Sequence, residues 1–204
     1  MQLLTTPQGK AVYPYLQVPD TKFSDEGLYN VKLHVSEEDY NEFKEQIDEL
    51  FKAAYEKELA FQGKKKLTLA SSSPLRITDE GDYEIYAKQE AKKMTKSKGL
   101  LQFSIAAVNA KGTKIKMPAV AGGSTLKLAV APHFWFVPSQ GFGMTLRLRA
   151  VQIIELIERE TASVENIFAS VEGFDGGESF SEELENDAPQ TEKESKGEDD
   201  EFSF

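Results

Sequence analysis

The sequence contains no cysteine and only two histidines, His34 and His133. Without thiols there is no disulfide, no thiol nucleophile and no thiolate zinc site. Two histidines so far apart also make a histidine-rich metal site or a His-based triad a poor fit, and each reads as a packed or solvent-exposed side chain. A Gly-rich phosphate loop ending in Lys and Ser or Thr is missing, as are a Gly-x-Ser-x-Gly elbow and a Rossmann fingerprint, so nothing requires catalysis or a cofactor. No zinc finger, base-reading helix or RNP-type signature specifies base identity. Apolar runs stop short of the roughly 18 residues that a membrane-spanning helix needs, and Met1 to Pro7 lacks the basic and apolar regions of a secretory signal. A cytoplasmic, non-enzymatic protein is the expectation.

What is abundant is charge, unevenly placed. Of 34 Asp and Glu, 14 lie in residues 165–204, against 2 of the 24 Lys and Arg; residues 1–164 keep 22 bases and 20 acids. The overall net charge of −10 therefore belongs to the tail. That stretch is poor in core formers and ends Glu198-Asp199-Asp200-Glu201-Phe202-Ser203-Phe204, the composition of a disordered acidic segment. The preceding 1–164 suit one domain, large enough to bury a core unaided.

Within that domain the patterning is mostly that of strands. Val12, Tyr13, Tyr15, Leu16 and Val18 form a β-favouring run, and Tyr29, Val31, Leu33 and Val35 alternate with polar residues. Ser36-Glu37-Glu38-Asp39 supplies a cap, after which Tyr40, Phe43, Ile47, Leu50 and Ala54 recur at helical spacing, predicting one long amphipathic helix that ends near Gly63. Residues 63–74 read as loop, and Leu75–Ile77 with Tyr83–Ala87 as short strands about a turn. Residues 88–98, with Lys88, Lys92, Lys93, Lys96 and Lys98, read as a mobile basic loop. Leu101, Phe103 and Ile105 predict the first strand of a hairpin closed by Asn109–Gly112, followed by strands at Thr125–Val130, His133–Val137 and Met144–Leu156. In the last of these the apolar parity changes near Ala150, which a β-bulge or a bend explains. Many short strands with one long helix predict a mainly β fold, an OB-type antiparallel barrel with a capping helix.

Between Lys64 and Arg149 there are 15 Lys or Arg against 5 Asp or Glu, in the half that also holds His133-Phe134-Trp135-Phe136. Cations neutralise phosphates and flat rings accept unpaired bases, so the combination describes a groove for single-stranded nucleic acid. The bland alternative is that the rings are core and the lysines only solubilise. Three consecutive aromatics on a strand cannot all point inward. Arg147 and Arg149 share one side of their strand, where they could track two phosphates or pair with acids; Lys127 lies similarly between Leu126 and Leu128.

The chain resembles the replicative single-stranded DNA-binding proteins of short-tailed, T-odd type phages. The likeness runs through Tyr13-x-Tyr15-Leu16-x-x-Pro19-Asp20, Gly27-Leu28-Tyr29-x-Val31-x-Leu33, the lysines from Lys92 to Lys98, Asn109-x-Lys111-Gly112 and Pro118-x-x-x-Gly122-Gly123-Ser124-x-Leu126-Lys127. It continues through Leu146-x-Leu148-x-x-Val151-x-x-Ile154-Glu155-Leu156 to the acidic ending with a terminal aromatic. The resemblance implies an OB-fold core and sequence-independent binding of single-stranded DNA in replication, recombination and repair. It also implies strand annealing, a homodimer, and contacts with phage DNA polymerase and helicase-primase through the tail. The residues expected at DNA are Tyr15, Phe103, Phe134 and Trp135 for bases and Lys92, Lys93, Lys96, Lys98, Lys127, Arg147 and Arg149 for phosphates. Glu198, Asp199, Asp200, Glu201, Phe202 and Phe204 are the expected partner-binding tail. The competing expectations are an OB-type adaptor that binds proteins but not DNA, and a metal-dependent nuclease.

Overall fold

A computed structural model describes residues 2–22, 25–95 and 99–158. The chain divides into two units, Met1–Arg159 and Glu160–Phe204, of which the second lies outside the described residues. The acidic tail expected from 165 onward, its disorder and its terminal residues therefore lie outside them too.

The first unit is mainly β. Its long strands are β2 (Gly9–Asp20), β3 (Leu28–Val35), β5 (Tyr83–Glu90), β10 (Thr125–Val137) and β11 (Gly141–Glu155). Short β1 (Leu4–Thr5), β4 (Leu75–Ile77), β8 (Ala106–Val108) and β9 (Lys114–Ile115) extend the same sheet, and β6 (Lys92–Thr95) pairs with β7 (Gly99–Gln102) in a separate ribbon. The five long strands close a ring in the order β10, β2, β3, β5, β11 and back to β10. Two pairings, β11 with β5 and β11 with β8, are parallel, and the rest are antiparallel. The ring is an OB-type barrel in which the expected architecture is realised.

Alternation builds the interior. Val31 and Leu33 of β3, Ile85 and Ala87 of β5, Leu126, Leu128 and Val130 of β10, and Leu146 and Leu148 of β11 are completely buried. The parity change in β11 is a bulge. Ala129 pairs with Ala150 but Val130 with Leu148, so Arg149 is the extra residue and Val151 can return to the core. At the β2–β10 seam, held by Lys10 opposite Thr125 and Gly9 opposite Leu126, Lys10 Nζ donates to Thr125 Oγ1 at 2.7 Å. Thr125 Oγ1 in turn donates to Glu155 Oε2 at 2.6 Å, and with Lys10 this holds the Glu155 carboxyl below its ordinary pKa.

The helix α1 (Glu37–Gln62) begins where the cap predicts it: Asp39 N–H donates to Ser36 Oγ at 3.2 Å, and Ser36 Oγ donates to Asp39 Oδ2 at 2.6 Å. Gly63 ends it at φ 61°, a left-handed turn that favours glycine. Tyr40, Phe43 and Ile47 join the core, and the helix closes one end of the barrel through Tyr40 against Tyr83 and Phe51 against Phe142, with ring centroids 5.2 and 5.1 Å apart.

Three expectations about local structure change. Residues 88–98 are not one loop: Ala87, Gln89 and Ala91 are buried at alternate positions, so β5 runs on to Glu90 and β6 follows at once. The density of lysine in this stretch hides a strand periodicity carried by small residues. Leu101 belongs to the β6–β7 ribbon, while Phe103 lies outside any strand, tied by its N–H to Ala91 O at 2.8 Å; the hairpin strand begins only at Ala106. Pro132 does not divide two strands. It stands within β10 beyond the last β1 pair, Leu4 with Val130, where that flank of the strand needs no amide donor.

Candidate nucleic-acid interface

Because paired residues on neighbouring strands share a face, the register defines rows across the outside of the barrel. One row runs Tyr15 of β2, Asn30 of β3, Lys88 of β5, Arg147 of β11 and Ala131 of β10. At about 4.8 Å per strand step it spans roughly 19 Å. Beside it lie Leu28 opposite Glu90 and, one pleat along β10, His133 opposite Thr145, with Trp135 opposite Gly143 a further pleat on.

These rows floor an open groove of about 430 Å³ lined by Leu28, Lys88, Gln89, Glu90, Lys93, Phe103, His133, Thr145, Arg147 and Arg149. Four cations face it against one carboxylate, and that carboxylate, Glu90, is paired with Lys93 at 2.9 Å. His133 titrates below its ordinary range, chiefly because it is partly buried and then because Arg147 and Lys93 stand near it. It is therefore a neutral ring among cations at neutral pH. Trp135 adjoins the groove, its Nε1–H donating to Thr145 Oγ1 at 3.2 Å. Gln89 is buried in the floor, with its amide Nε2 donating to Glu90 O at 3.1 Å and its Oε1 without a partner among the described residues.

A second charged group lies on the same outer face. Glu84, only 2% exposed, accepts from Arg76 Nε at 2.5 Å and is 3.3 Å from Lys32 Nζ and 3.7 Å from His34 Nε2. This cluster ties β3, β4 and β5 together beside the groove; it offers neutralised charge, and His34 belongs to it rather than to a reactive site.

Of the residues expected at DNA, Lys93, Phe103, Arg147 and Arg149 come together in the groove, Trp135 stands at its edge and Tyr15 at the β2 end of the row. Lys92 is exposed on β6 outside the lining, and Lys127 lies four residues from Ala131 along β10, on the order of 13 Å away. Phe134 does not share this face. Strand alternation turns it with Phe136 away from His133 and Trp135, and it packs against Phe51 and Phe142 at 6.1 and 6.3 Å. Lys96 and Lys98 lie outside the described residues, as do Glu198, Asp199, Asp200, Glu201, Phe202 and Phe204.

Lys88, His133 and Thr145 line the groove without having been expected there. Their signal was parity: Lys88 follows Glu84 and Tyr86 on the outward positions of β5, and His133 shares its parity with Trp135. Among the described residues, no group of three or more His, Asp or Glu is placed to hold a metal ion, and no helix is long and apolar enough to cross a membrane.

A five-strand barrel capped by one helix, with a cationic and aromatic groove on its outer face, defines an OB-type fold. No family model and no curated protein sequence matches the chain. Solved structures do. The single-stranded DNA-binding protein gp2.5 of bacteriophage T7 superposes with a TM-score of 0.64 at 20% identity, covering 86% of this chain and 99% of that one. The single-stranded DNA-binding protein of bacteriophage Enc34, in complex with single-stranded DNA, gives 0.56 at 14% identity over 78% of this chain and 89% of that one. A C-terminal truncation of the Enc34 protein gives 0.52 at 16% identity, over 76% of this chain and 87% of that one. The chain has the fold of these phage proteins.

Proposed function

We propose that this protein binds single-stranded DNA without sequence preference and serves phage replication, recombination and repair in the cytoplasm of the infected cell. The observation that carries the reading is the convergence of Lys88, Lys93, Arg147 and Arg149 with Phe103, His133 and Trp135 on one open groove. Its lining is mostly cations and ring faces, as suits a strand held by its phosphates and ring faces. The solved complex of the Enc34 protein with single-stranded DNA, on the same fold, supports it. Binding without chemistry is the whole activity in this reading, and it coats and protects the strand and promotes annealing.

The acidic tail is the partner-binding element. Glu198 to Glu201 with Phe202 and Phe204 offer anions and rings, the two chemistries of DNA itself, to polymerase, to helicase-primase and to the groove of the same chain or of a second copy in a homodimer.

The test is titration of oligo-dT, followed by quenching of the single Trp, at several salt concentrations. Four phosphate contacts give a slope of log affinity on log salt near −3, and Arg147→Ala shallows it by about 0.7. Deleting residues 165–204 raises affinity at low salt and abolishes polymerase contact. Absence of salt-sensitive binding, with partner binding intact, refutes the reading in favour of the adaptor; magnesium-dependent cleavage favours a nuclease.

A further inference from the structure

Tyr13 is the one non-glycine residue among those described with a positive φ, at 47°. L side chains avoid this region because Cβ meets the backbone, and asparagine, aspartate and glycine are the residues that tolerate it. Pro14 follows, and a residue before proline is further confined to extended backbone. The strained position is a bulge. Val12 pairs with Lys32 and Tyr15 with Asn30, so Tyr13 and Pro14 together oppose Val31 alone.

The strain is not offset by packing. Tyr13 is 73% exposed, and its ring and hydroxyl have no partner among the described residues. A bulge alone would form more easily with asparagine, so the fold gives no reason for a large aromatic ring here. Its place in the barrel does. Tyr13 adjoins Tyr15, which begins the row that crosses Asn30, Lys88 and Arg147, with Trp135 near the opposite end.

We propose that Tyr13 is a base-stacking platform that ends the single-strand path on the β2 side, the bulge serving to hold its ring out of the sheet into solvent. This rests on the reading of the groove as a single-strand site. It extends that site across β2, beyond the groove lined from β3, β5, β6, β10 and β11, so that rings stand towards both ends of a cationic row.

The experiment compares full-length wild type, Tyr13→Asn, Tyr13→Phe and Arg147→Ala by anisotropy of labelled oligo-dT, with thermal melts of each. Tyr13→Asn is expected to weaken binding by about 5-fold to 100-fold, the range of one lost stack, while melting at or above the wild-type temperature. Tyr13→Phe is expected to bind within about twofold, because stacking needs the ring face and not the hydroxyl. Wild-type affinity for Tyr13→Asn alongside weakened Arg147→Ala overturns the platform and leaves the groove reading standing. A lowered melting temperature for Tyr13→Asn also overturns it, since the ring would then be structural. Failure of wild type itself to bind overturns both.

Discussion

Trp135 rests on a glycine, and filling that space should unseat it. A Cβ at Gly143 would fall inside the van der Waals envelope of Trp135 Cζ2, 2.7 Å from Cη2 and 2.9 Å from Ala70 Cβ. Ala70 is tied by its own N–H to Phe142 O at 2.8 Å and cannot easily retreat, whereas the indole can swing outward. In Gly143→Ala the ring should therefore leave the sheet and lose its 3.2 Å bond to Thr145. Overpacking of this kind costs about 1–3 kcal/mol. For a domain of this size that lowers Tm by on the order of 2–12 °C. Since Trp135 is the only tryptophan, its emission reports the displacement directly: a red shift and easier quenching by solutes, together with weaker oligo-dT binding. Unchanged emission and a Tm within about 1 °C of wild type would show that the indole does not lie on Gly143.

Two further outcomes follow from charge. Glu84→Gln leaves Arg76, Lys32 and His34 without their common carboxylate; because Arg76 and Lys32 are partly solvated, the expected loss is about 1–3 kcal/mol in urea unfolding, and a change below about 0.5 kcal/mol would contradict the role of the cluster in joining β3, β4 and β5. His133 has a depressed pKa in the fold, so the unfolded chain takes up its proton first, and stability should fall as pH drops from the ordinary histidine range through the depressed value. An adjacent phosphate works in the opposite direction by favouring the protonated ring. Oligo-dT affinity should thus rise over that window, and His133→Gln should flatten both pH profiles.

How much of this was legible in the sequence depended on whether a signal was local. The helix was, because Ser36, Asp39 and Gly63 cap it with their own side chains and backbone. So was the phase change in β11, since Leu146 and Leu148 on one parity and Val151 and Ile153 on the other called for a bulge or a bend, and the structure has the bulge. The continuation of β5 was not. Its inward residues after Ile85 are Ala87 and Gln89, with Ala91 just past its end, all buried but too small or polar to stand out against the lysines. The groove shared that difficulty. Arg147 and Trp135 announced themselves by type, but Lys88 and His133 became site residues only through the pairing of distant strands, and Phe134 left the site by the same alternation that put Trp135 into it.

The ring of strands is not equally strong all round. β10 and β11 pair along thirteen positions, whereas β5 meets β11 through only Leu146 with Ala87 and Arg147 with Lys88. The second of these pairs sets two cations side by side across a join of two residue pairs, as short as the β2–β10 seam, where their repulsion works against closure. An anion lying between them would reverse the sign of that interaction. In free energy terms, the join and such an anion would share a variable: binding would tighten the join, and local opening of the join would release the anion. One of the barrel's two short seams is in this way the floor of its groove.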